Sequence, residues 1–314
     1  MMSAMSRRSF LSAAVAGGVL AGTGRVAGAQ DAGGFVRLGG PLALPGDDPE
    51  GWARAHRELG YRGAYCPEVP LEDGDRVRAV AAAFEKQDVA IAEVGRWCNL
   101  MDADAEKRKE NLDRVINGLA LAEAVGARCC VNIAGSRNTE SWFGPHPDNL
   151  SRDFFDAAVE NARRVIDAVK PTRAAFAYEM MGWAIPDSPD SYVALLKAVD
   201  RTAFGVHLDP CNLINSPERF YRNAALLDEC FDKLGPHIVS CHAKDLAWEV
   251  EMNIHFREVR PGTGKLDYTT FLRRLAALPQ QPPLMLEHLE SAEEYDAARR
   301  HLLEFGGTAG VSFG

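Results

Sequence analysis

The sequence lacks the features that mark nucleic-acid-binding and disulfide-stabilised proteins. Its 35 Lys and Arg residues are scattered and are outnumbered by 44 Asp and Glu residues, so no basic stripe is present to neutralise phosphates. Its seven cysteines form no CxxC pair, and several lie in apolar runs, where cysteine behaves as a small hydrophobic residue. We therefore expect no nucleic-acid partner and no disulfide framework, while a single disulfide stays open.

The first 29 residues differ from the rest of the chain. Residues 6–11, SRRSFL, match the core of the bacterial twin-arginine export signal, and residues 27–29, AGA, fit an A-x-A cleavage site. The Ala/Gly-rich run between them is too short and too rich in glycine to span a bilayer stably. We predict a signal peptide over 1–29 and a mature protein over 30–314. It would be exported folded to the periplasm or beyond, without stable membrane insertion.

After the signal, short apolar runs alternate with amphipathic helical stretches. No GxGxxG follows the first run, and no break in composition divides the chain, so we predict an α/β protein with a single (β/α)8 TIM barrel. A doubly wound open sheet is the alternative. The predicted strands cover 35–38, 63–66, 89–94, 128–133, 174–179, 205–209, 238–242 and 284–287. The clearest predicted helices cover 76–86, 105–125, 152–169, 192–199, 218–234 and 268–278.

Several helix starts are marked by capping residues. Asp48, Ser188 and Ser216 each precede a proline, which is favoured at the first helical position. Ser291 and Glu294 form a capping-box pattern that predicts the last helix.

Four of the predicted strands, the fifth to the eighth, end on or near a side chain that can bind a metal ion. In a TIM barrel the C-terminal strand ends form the active-site face, so we expect these side chains to meet there. Three carboxylates and one imidazole suit a single six-coordinate divalent cation, most readily Mn²⁺, with Co²⁺, Mg²⁺ or Zn²⁺ as alternatives. Such a cation would acidify a C–H bond beside a carbonyl, with a carboxylate as the base. The four candidate ligands are Glu179, Asp209, His242 and Glu287.

From about residue 35 onward, the chain resembles the xylose isomerase-like TIM-barrel superfamily of sugar isomerases and epimerases. The resemblance is carried by the ordered Glu/Asp/His/Glu set, by HLDP around Asp209, by HAKD at 242–245 and by PGTGKLDY at 261–268. In the ketose 3-epimerases of this superfamily, the first and last glutamates bind the metal and exchange the substrate proton from opposite faces. The resemblance therefore implies catalytic roles for Glu179 and Glu287, through a metal-stabilised enediolate.

The chain departs from the ketose 3-epimerase pattern at three positions. Ile185 stands in place of a glutamate, Asn212 in place of a histidine and Trp248 in place of an arginine. HAKD is more similar to the inosose dehydratase and general isomerase branches, which implies that Lys244 is a ligand for a substrate oxygen or a general acid. Lyases that act on 3-keto sugars and glycosides share this enolate chemistry.

Four further residues are candidates for contact with the substrate: His207, Asn212, Arg260 and Trp183. For His207 a packed position inside the barrel is equally compatible with the sequence, and for Arg260 a surface salt bridge is. Glu93 is interpreted as a hydrogen-bonded residue at the barrel rim. The segment around His255 is interpreted as a solvated loop or lid.

These observations predict a metal-dependent isomerase or epimerase for a non-phosphorylated keto sugar, polyol or glycoside, because no phosphate-binding motif is present. A lyase or dehydratase using the same site is the first alternative. A non-catalytic periplasmic carbohydrate-binding protein is the alternative of another class. An endonuclease IV-like hydrolase is disfavoured, because no histidine ends any of the first four strands. Homodimers are common in the superfamily, and this analogy alone supports a homodimer.

Overall fold

The structure is a computed structural model that describes residues 34–43 and 46–314. The predicted signal peptide over 1–29 lies outside the described residues. Within the described part of the chain, no helix combines the length and the apolar character needed to cross a membrane.

Eight parallel strands close into a barrel, which confirms the predicted TIM-barrel fold. Their bounds are β2 (Leu38–Gly39), β3 (Gly63–Tyr65), β4 (Ala90–Gly95), β5 (Cys129–Asn132), β6 (Ala175–Glu179), β7 (Phe204–Leu208), β8 (Ile238–Ala243) and β11 (Leu284–Leu286). Around the barrel, β11 closes the circle by pairing with both β2 and β8. Each of these eight strands overlaps one of the predicted strands.

Four shorter strands lie outside the barrel. Strand β1 (Phe35–Val36) pairs in parallel with β12 (Ser312–Phe313), which joins the two ends of the described chain. Strands β9 (Asp245–Glu249) and β10 (His255–Val259) form an antiparallel hairpin directly after β8.

The helices alternate with the barrel strands. They are α1 (Pro49–Glu58), α2 (Gly74–Lys86), α3 (Ala105–Val125), α4 (Arg152–Val169), α5 (Pro189–Val199), α6 (Pro210–Leu213), α7 (Pro217–Tyr221), α8 (Asn223–Leu234), α9 (Tyr268–Ala276) and α10 (Ala292–Ala309). Short 3₁₀ turns cover Pro147–Leu150 and Gly235–His237. The predicted caps are confirmed, since the side chains of Asp48, Ser188, Ser216 and Ser291 each accept a hydrogen bond from a backbone N–H of the first turn.

The predicted helix over 218–234 is interrupted. Helix α7 ends at Tyr221, and Arg222 has non-helical angles of φ −117° and ψ 32° before α8 begins. The interruption lets α7 turn its Phe220 ring toward the hairpin, where it stacks on Phe256 with a centroid distance of 5.0 Å.

The prediction of a loop around His255 was wrong. Strand β10 pairs with β9 so that Phe256 lies opposite Trp248, with ring centroids 5.2 Å apart. Phe220 contacts the Trp248 ring as well, at 5.6 Å. Phe220 comes from α7, which is distant in sequence from the hairpin, so the local sequence pattern could not reveal the contacts that order the hairpin. None of the seven cysteines, all within the described residues, forms a disulfide.

The sequence motifs HAKD and PGTGKLDY are held together by one buried carboxylate. Asp245 Oδ1 accepts hydrogen bonds from the backbone N–H groups of Leu246 and Leu266, each at 2.9 Å. Asp245 Oδ2 accepts from Gly262 at 3.0 Å and from Gly264 at 2.9 Å. A Cβ atom at Gly264 would lie 2.2 Å from Asp245 Oδ1, so this close approach requires glycine. The contacts anchor the turn beside the C-terminal end of β8.

Replacing Asp245 by Asn tests this anchor. Asparagine keeps the shape of the side chain but replaces one accepting oxygen with an NH₂ group, which is a donor. Two backbone N–H groups would then face a donor in place of an acceptor. We expect the free energy of unfolding to fall by about 2–4 kcal/mol, because charge-assisted bonds to buried N–H groups are lost. Urea denaturation measures the change.

The matched control is Asp113→Asn, since Asp113 is an exposed carboxylate on α3. Its effect should stay within about 0.5 kcal/mol. Equal stabilities of the two variants would contradict the role assigned to Asp245.

Candidate metal centre and active site

The barrel brings the four candidate ligands together at its C-terminal end. Glu179 ends β6, His242 lies in β8 and Glu287 directly follows β11. Asp209 follows β7 and caps α6, its Oδ1 accepting a hydrogen bond from the Asn212 N–H at 3.2 Å. One ligand atom from each of the four side chains lies within 4.8 Å of the others. Asp209 and His242 are fully buried, Glu179 is buried, and Glu287 is partly exposed, with 17% of its side chain accessible.

The imidazole of His242 points its two nitrogens in different directions. Its Nδ1 lies 2.8 Å from Glu179 Oε1, 3.0 Å from Glu287 Oε2 and 3.6 Å from Asp209 Oδ2. Its Nε2 faces Glu93 Oε2 at 3.4 Å, on the other side of the ring. Nδ1 is therefore the atom available to a cation shared with the three carboxylates.

The donor set fits a divalent cation. Asp209 Oδ2 and Glu287 Oε2 are buried and make no hydrogen bond within the described structure, although the Lys244 ammonium lies 2.8 Å from each. These two buried oxygens share one ammonium, so a cation between them would supply a further positive partner. Three carboxylates and one imidazole nitrogen form the mixed oxygen and nitrogen set that binds divalent first-row metals and magnesium.

The charged groups of the site shift one another's pKa values. Burial alone would lower the pKa of Lys244, but Asp209, Glu179 and Glu287 outweigh it and hold that pKa well above its ordinary value. Burial would likewise lower the pKa of His242, and Glu287 and Glu93 reverse the effect. Both groups thus retain a proton readily, and a metal ion bound at His242 Nδ1 would have to displace one.

The two glutamates are not equivalent. Burial dominates at Glu179 and raises its pKa above the ordinary carboxyl value, although His242 acts against it. At Glu287 burial also favours the neutral acid, but His242 and Lys244 outweigh it and lower the pKa to about 2. Two carboxyl groups with unequal proton affinities can divide the tasks of accepting and donating a proton.

A second buried cluster supports the ligand set from inside the barrel. Glu93 on β4 is fully enclosed, and its Oε1 lies 2.9 Å from His207 Nε2 and within hydrogen-bonding contact of Ser240 Oγ. Its other oxygen faces His242, which gives the carboxylate–histidine–metal arrangement that orients imidazole ligands. The interpretation of Glu93 as a rim residue was wrong, because the residue lies in the interior. The sequence offered one sign of this position, because Glu93 is the one acidic residue in an otherwise apolar strand.

His207 does not reach the space where a substrate would lie. Its side chain is fully buried, its ring centroid lies 4.2 Å from that of His242, and it is not among the residues that line the cavity. This placement favours a role in supporting Glu93 and His242 rather than contact with a substrate.

The ligand set opens into a cavity of about 720 Å³. Of the other predicted site residues, Lys244, Asn212 and Trp183 line it. Asn212 Nδ2 donates to Met180 O at 3.0 Å and approaches Glu179 Oε1 at 3.4 Å. Arg260 instead forms an ion pair with Glu294 at 2.9 Å and does not line the cavity, so its position corresponds to the surface salt bridge that the sequence left open.

Sequence reasoning missed Glu258 and His288, which line the cavity and contact the ligand set. Glu258 on β10 lies 3.2 Å from Lys244 Nζ and 2.9 Å from His288 Nδ1, and it links the hairpin to the ligand set. His288 has a φ of 57°, which is uncommon for a residue with a side chain and recurs at functional sites. Glu258 was hidden because the segment was interpreted as a loop. His288 could have been proposed from the sequence, because it directly follows the candidate ligand Glu287.

Comparison with known proteins places this geometry in context. A family model described as "Xylose isomerase-like TIM barrel" matches residues 50–305. No curated protein matches the chain at a significant level.

Solved structures share the barrel at low sequence identity. A xylose isomerase-like TIM barrel protein from Mycobacterium smegmatis, in complex with magnesium, is 20% identical, with a TM-score of 0.59 over 88% of this chain and 97% of that one. A 3-keto-D-glucoside 4-epimerase from E. coli is 15% identical, with a TM-score of 0.62 over 87% and 99%. Endonuclease IV from Thermus thermophilus is 17% identical, with a TM-score of 0.63 over 86% and 99%. At these identities the likeness establishes the fold, and the chemistry has to be argued from the site.

The geometry predicts how metal affinity responds to changes at and beneath the ligand set. Titration of the metal-free protein with Mn²⁺ by calorimetry should reveal one site, and Asp209→Asn should abolish it. Glu93→Gln should weaken binding by about 10–100-fold, because the residue that orients His242 loses its charge.

Ser240→Ala is the matched control for Glu93→Gln, since it removes a contact to Glu93 but leaves the contact between Glu93 and His242 intact. Its effect on affinity should be several-fold smaller. Circular dichroism of the metal-free variants separates loss of fold from loss of affinity. Unchanged Mn²⁺ affinity in folded Glu93→Gln would show that Glu93 does not position His242.

Proposed function

The chain belongs to the xylose isomerase-like TIM-barrel family, and from that premise we propose that it is a divalent-metal-dependent isomerase or epimerase. Its substrate would be a non-phosphorylated keto sugar, polyol or glycoside. The reaction would begin with removal of a proton from the carbon beside a carbonyl group. The family assignment supports an enzyme of sugar metabolism, and the particular reaction rests on the site.

One observation carries the proposal. Two glutamates at the ends of separate strands, Glu179 as the last residue of β6 and Glu287 directly after β11, hold carboxylate oxygens 2.8 Å and 3.0 Å from the same imidazole nitrogen, and both line one cavity. A substrate bound beside that nitrogen would thus have a carboxyl group from each strand within reach. An isomerase or epimerase needs such a pair. One carboxyl group removes a proton from carbon, and the other returns a proton to a neighbouring carbon or to the opposite face of the same carbon.

The residues of this chain divide the remaining tasks. Glu179, Asp209, His242 and Glu287 would hold the cation, for which we propose Mn²⁺. When bound, the cation supplies a Lewis acid that polarises a substrate carbonyl. Lys244 presents an ammonium at the cavity floor that can donate a hydrogen bond or a proton to a substrate oxygen. Asn212, which already donates to Glu179, keeps that carboxylate aligned toward the cavity.

The same residues would serve a lyase. If the carbon next to the reacting centre carries a leaving oxygen, Lys244 is placed to protonate it, and elimination would follow instead of reprotonation at carbon. The observation that supports this second function is the position of the Lys244 ammonium. It lies within 3.9 Å of all three ligand carboxylates.

Deuterium exchange followed by NMR tests the proposal. The Mn²⁺-loaded protein would be incubated in D₂O with free ketoses, inososes and 3-keto glycosides. We expect deuterium at a carbon next to the carbonyl. Glu287→Gln should slow this exchange by about 100-fold or more, because a proton-transferring group is lost.

Glu290→Gln, an exposed neighbour, is the control and should exchange normally. Metal content measured on each variant separates a lost base from a lost ligand. The product formed distinguishes isomerisation from elimination. Absence of exchange with every substrate, in protein that retains its metal, would favour a carbohydrate-binding protein or a hydrolase.

We also propose that the protein is exported through the twin-arginine pathway. The support is the SRRSFL segment followed by AGA. Expressed in a bacterium that has this pathway, the protein should accumulate in the periplasm with an N-terminus near Gln30. The double change Arg7→Lys with Arg8→Lys should keep it in the cytoplasm. Equal export of both forms, measured by fractionation, would contradict the proposal.

A further inference from the structure

The cavity above the ligand set has two chemically different parts. Its charged lining is confined to the ligand set and the groups that contact it, which are Glu179, Lys244, Glu258, Glu287 and His288. The rest of the lining is almost entirely apolar, with His255, Asn212 and Asn215 as polar members.

Three aromatic side chains dominate the apolar part and are named here the aromatic wall: Trp142, Phe143 and Trp183. They are exposed by 42%, 45% and 36%, which is unusual for side chains of this size. All three line the same cavity as Glu179 and Glu287. Concave surfaces of this kind, with a few polar groups at one end, are typical of ligand sites.

The aromatic wall is pre-formed. The rings of Trp142 and Phe143 meet edge to face, with centroids 5.1 Å apart. Trp183 Nε1 donates a hydrogen bond to Phe143 O at 2.7 Å, which ties the loop after β5 to the loop after β6. Rings fixed in this way can bind an apolar surface without a large loss of side-chain entropy.

The size of the cavity limits what would fill it. At about 720 Å³ it falls within the range of about 300–1,000 Å³ that is typical for drug-sized ligands. A single sugar ring held at the ligand set would leave the aromatic wall exposed to water. A larger molecule with an apolar end would cover it.

We propose that the substrate is an elongated glycoside, with its keto-sugar ring at the ligand set and an apolar, ring-bearing aglycone against the aromatic wall. This inference rests on the proposed function and narrows its substrate class. It assigns specificity to Trp142, Phe143 and Trp183, which take no part in proton transfer.

The test compares phenyl and methyl 3-keto-β-D-glucosides in the deuterium-exchange assay. We expect kcat/KM for the phenyl glycoside to exceed that for the methyl glycoside by about tenfold or more, because the phenyl ring covers apolar surface. Trp142→Ala should remove most of that preference while leaving the methyl glycoside unchanged. Trp142→Phe should keep most of it, since an aromatic surface remains.

Leu150→Ala is the control, because Leu150 is an exposed apolar residue that does not line the cavity. It should leave both substrates unaffected. Equal kcat/KM values for the two glycosides, or a preference that survives Trp142→Ala, would overturn the proposal.

A parallel binding measurement separates this inference from the proposed function. Calorimetry with unoxidised phenyl and methyl β-D-glucosides measures the preference without any reaction. If the protein prefers the phenyl glucoside through Trp142 but exchanges no deuterium, the aglycone site is supported and the proposed isomerase function is contradicted. If both glycosides exchange rapidly and neither assay shows a phenyl preference, the proposed function is supported and the aglycone site is contradicted.

Discussion

The structure depends on holding three carboxylates together in a buried place. Two like charges about 4 Å apart repel by roughly 4 kcal/mol at the effective dielectric constant of a protein site. Glu179, Asp209 and Glu287 each bring an atom within 4.8 Å of the others, so folding must offset this repulsion with positive charge. Lys244, only 2.8 Å from two of them, supplies one such charge. His242 supplies a second charge while it is protonated, and a cation bound at its Nδ1 would take the place of that proton.

The barrel provides the rigidity that this arrangement needs. Glu179 and His242 lie within strands, and Asp209 and Glu287 directly follow the ends of two others, so the hydrogen bonds of the sheet fix or closely restrain the position of each ligand. Below the site, Glu93 fixes the orientation of His242 and is itself held by His207 and Ser240. Beside it, Asp245 accepts hydrogen bonds from three backbone N–H groups of the turn at 261–268 and from the N–H of Leu246. The buried polar residues of this end therefore form successive layers of support, as precise ligand geometry requires.

The sequence was most informative about features that depend on the local order of residues along the chain. The alternation of runs and helices predicted the barrel, and the position of Glu179, Asp209, His242 and Glu287 at strand ends predicted that they would meet. It was least informative where contacts join distant segments. The hairpin of β9 and β10 is ordered by Phe220 from α7, and the burial of Glu93 depends on His207 and His242 from across the barrel. Arg260 and Glu294 likewise lie far apart in sequence, and only the folded chain pairs them.

The division of the cavity also bears on which chemistry the barrel performs. A nuclease site must accommodate a polyanion, and phosphate contacts come from clustered Lys and Arg side chains. Among the residues that line this cavity, Lys244 is the one Lys or Arg, and it is already surrounded by Asp209, Glu258 and Glu287. A backbone of phosphates would meet carboxylates on one side and the aromatic wall on the other. The lining of the cavity is therefore poorly suited to a polyanion, although endonuclease IV shares the fold.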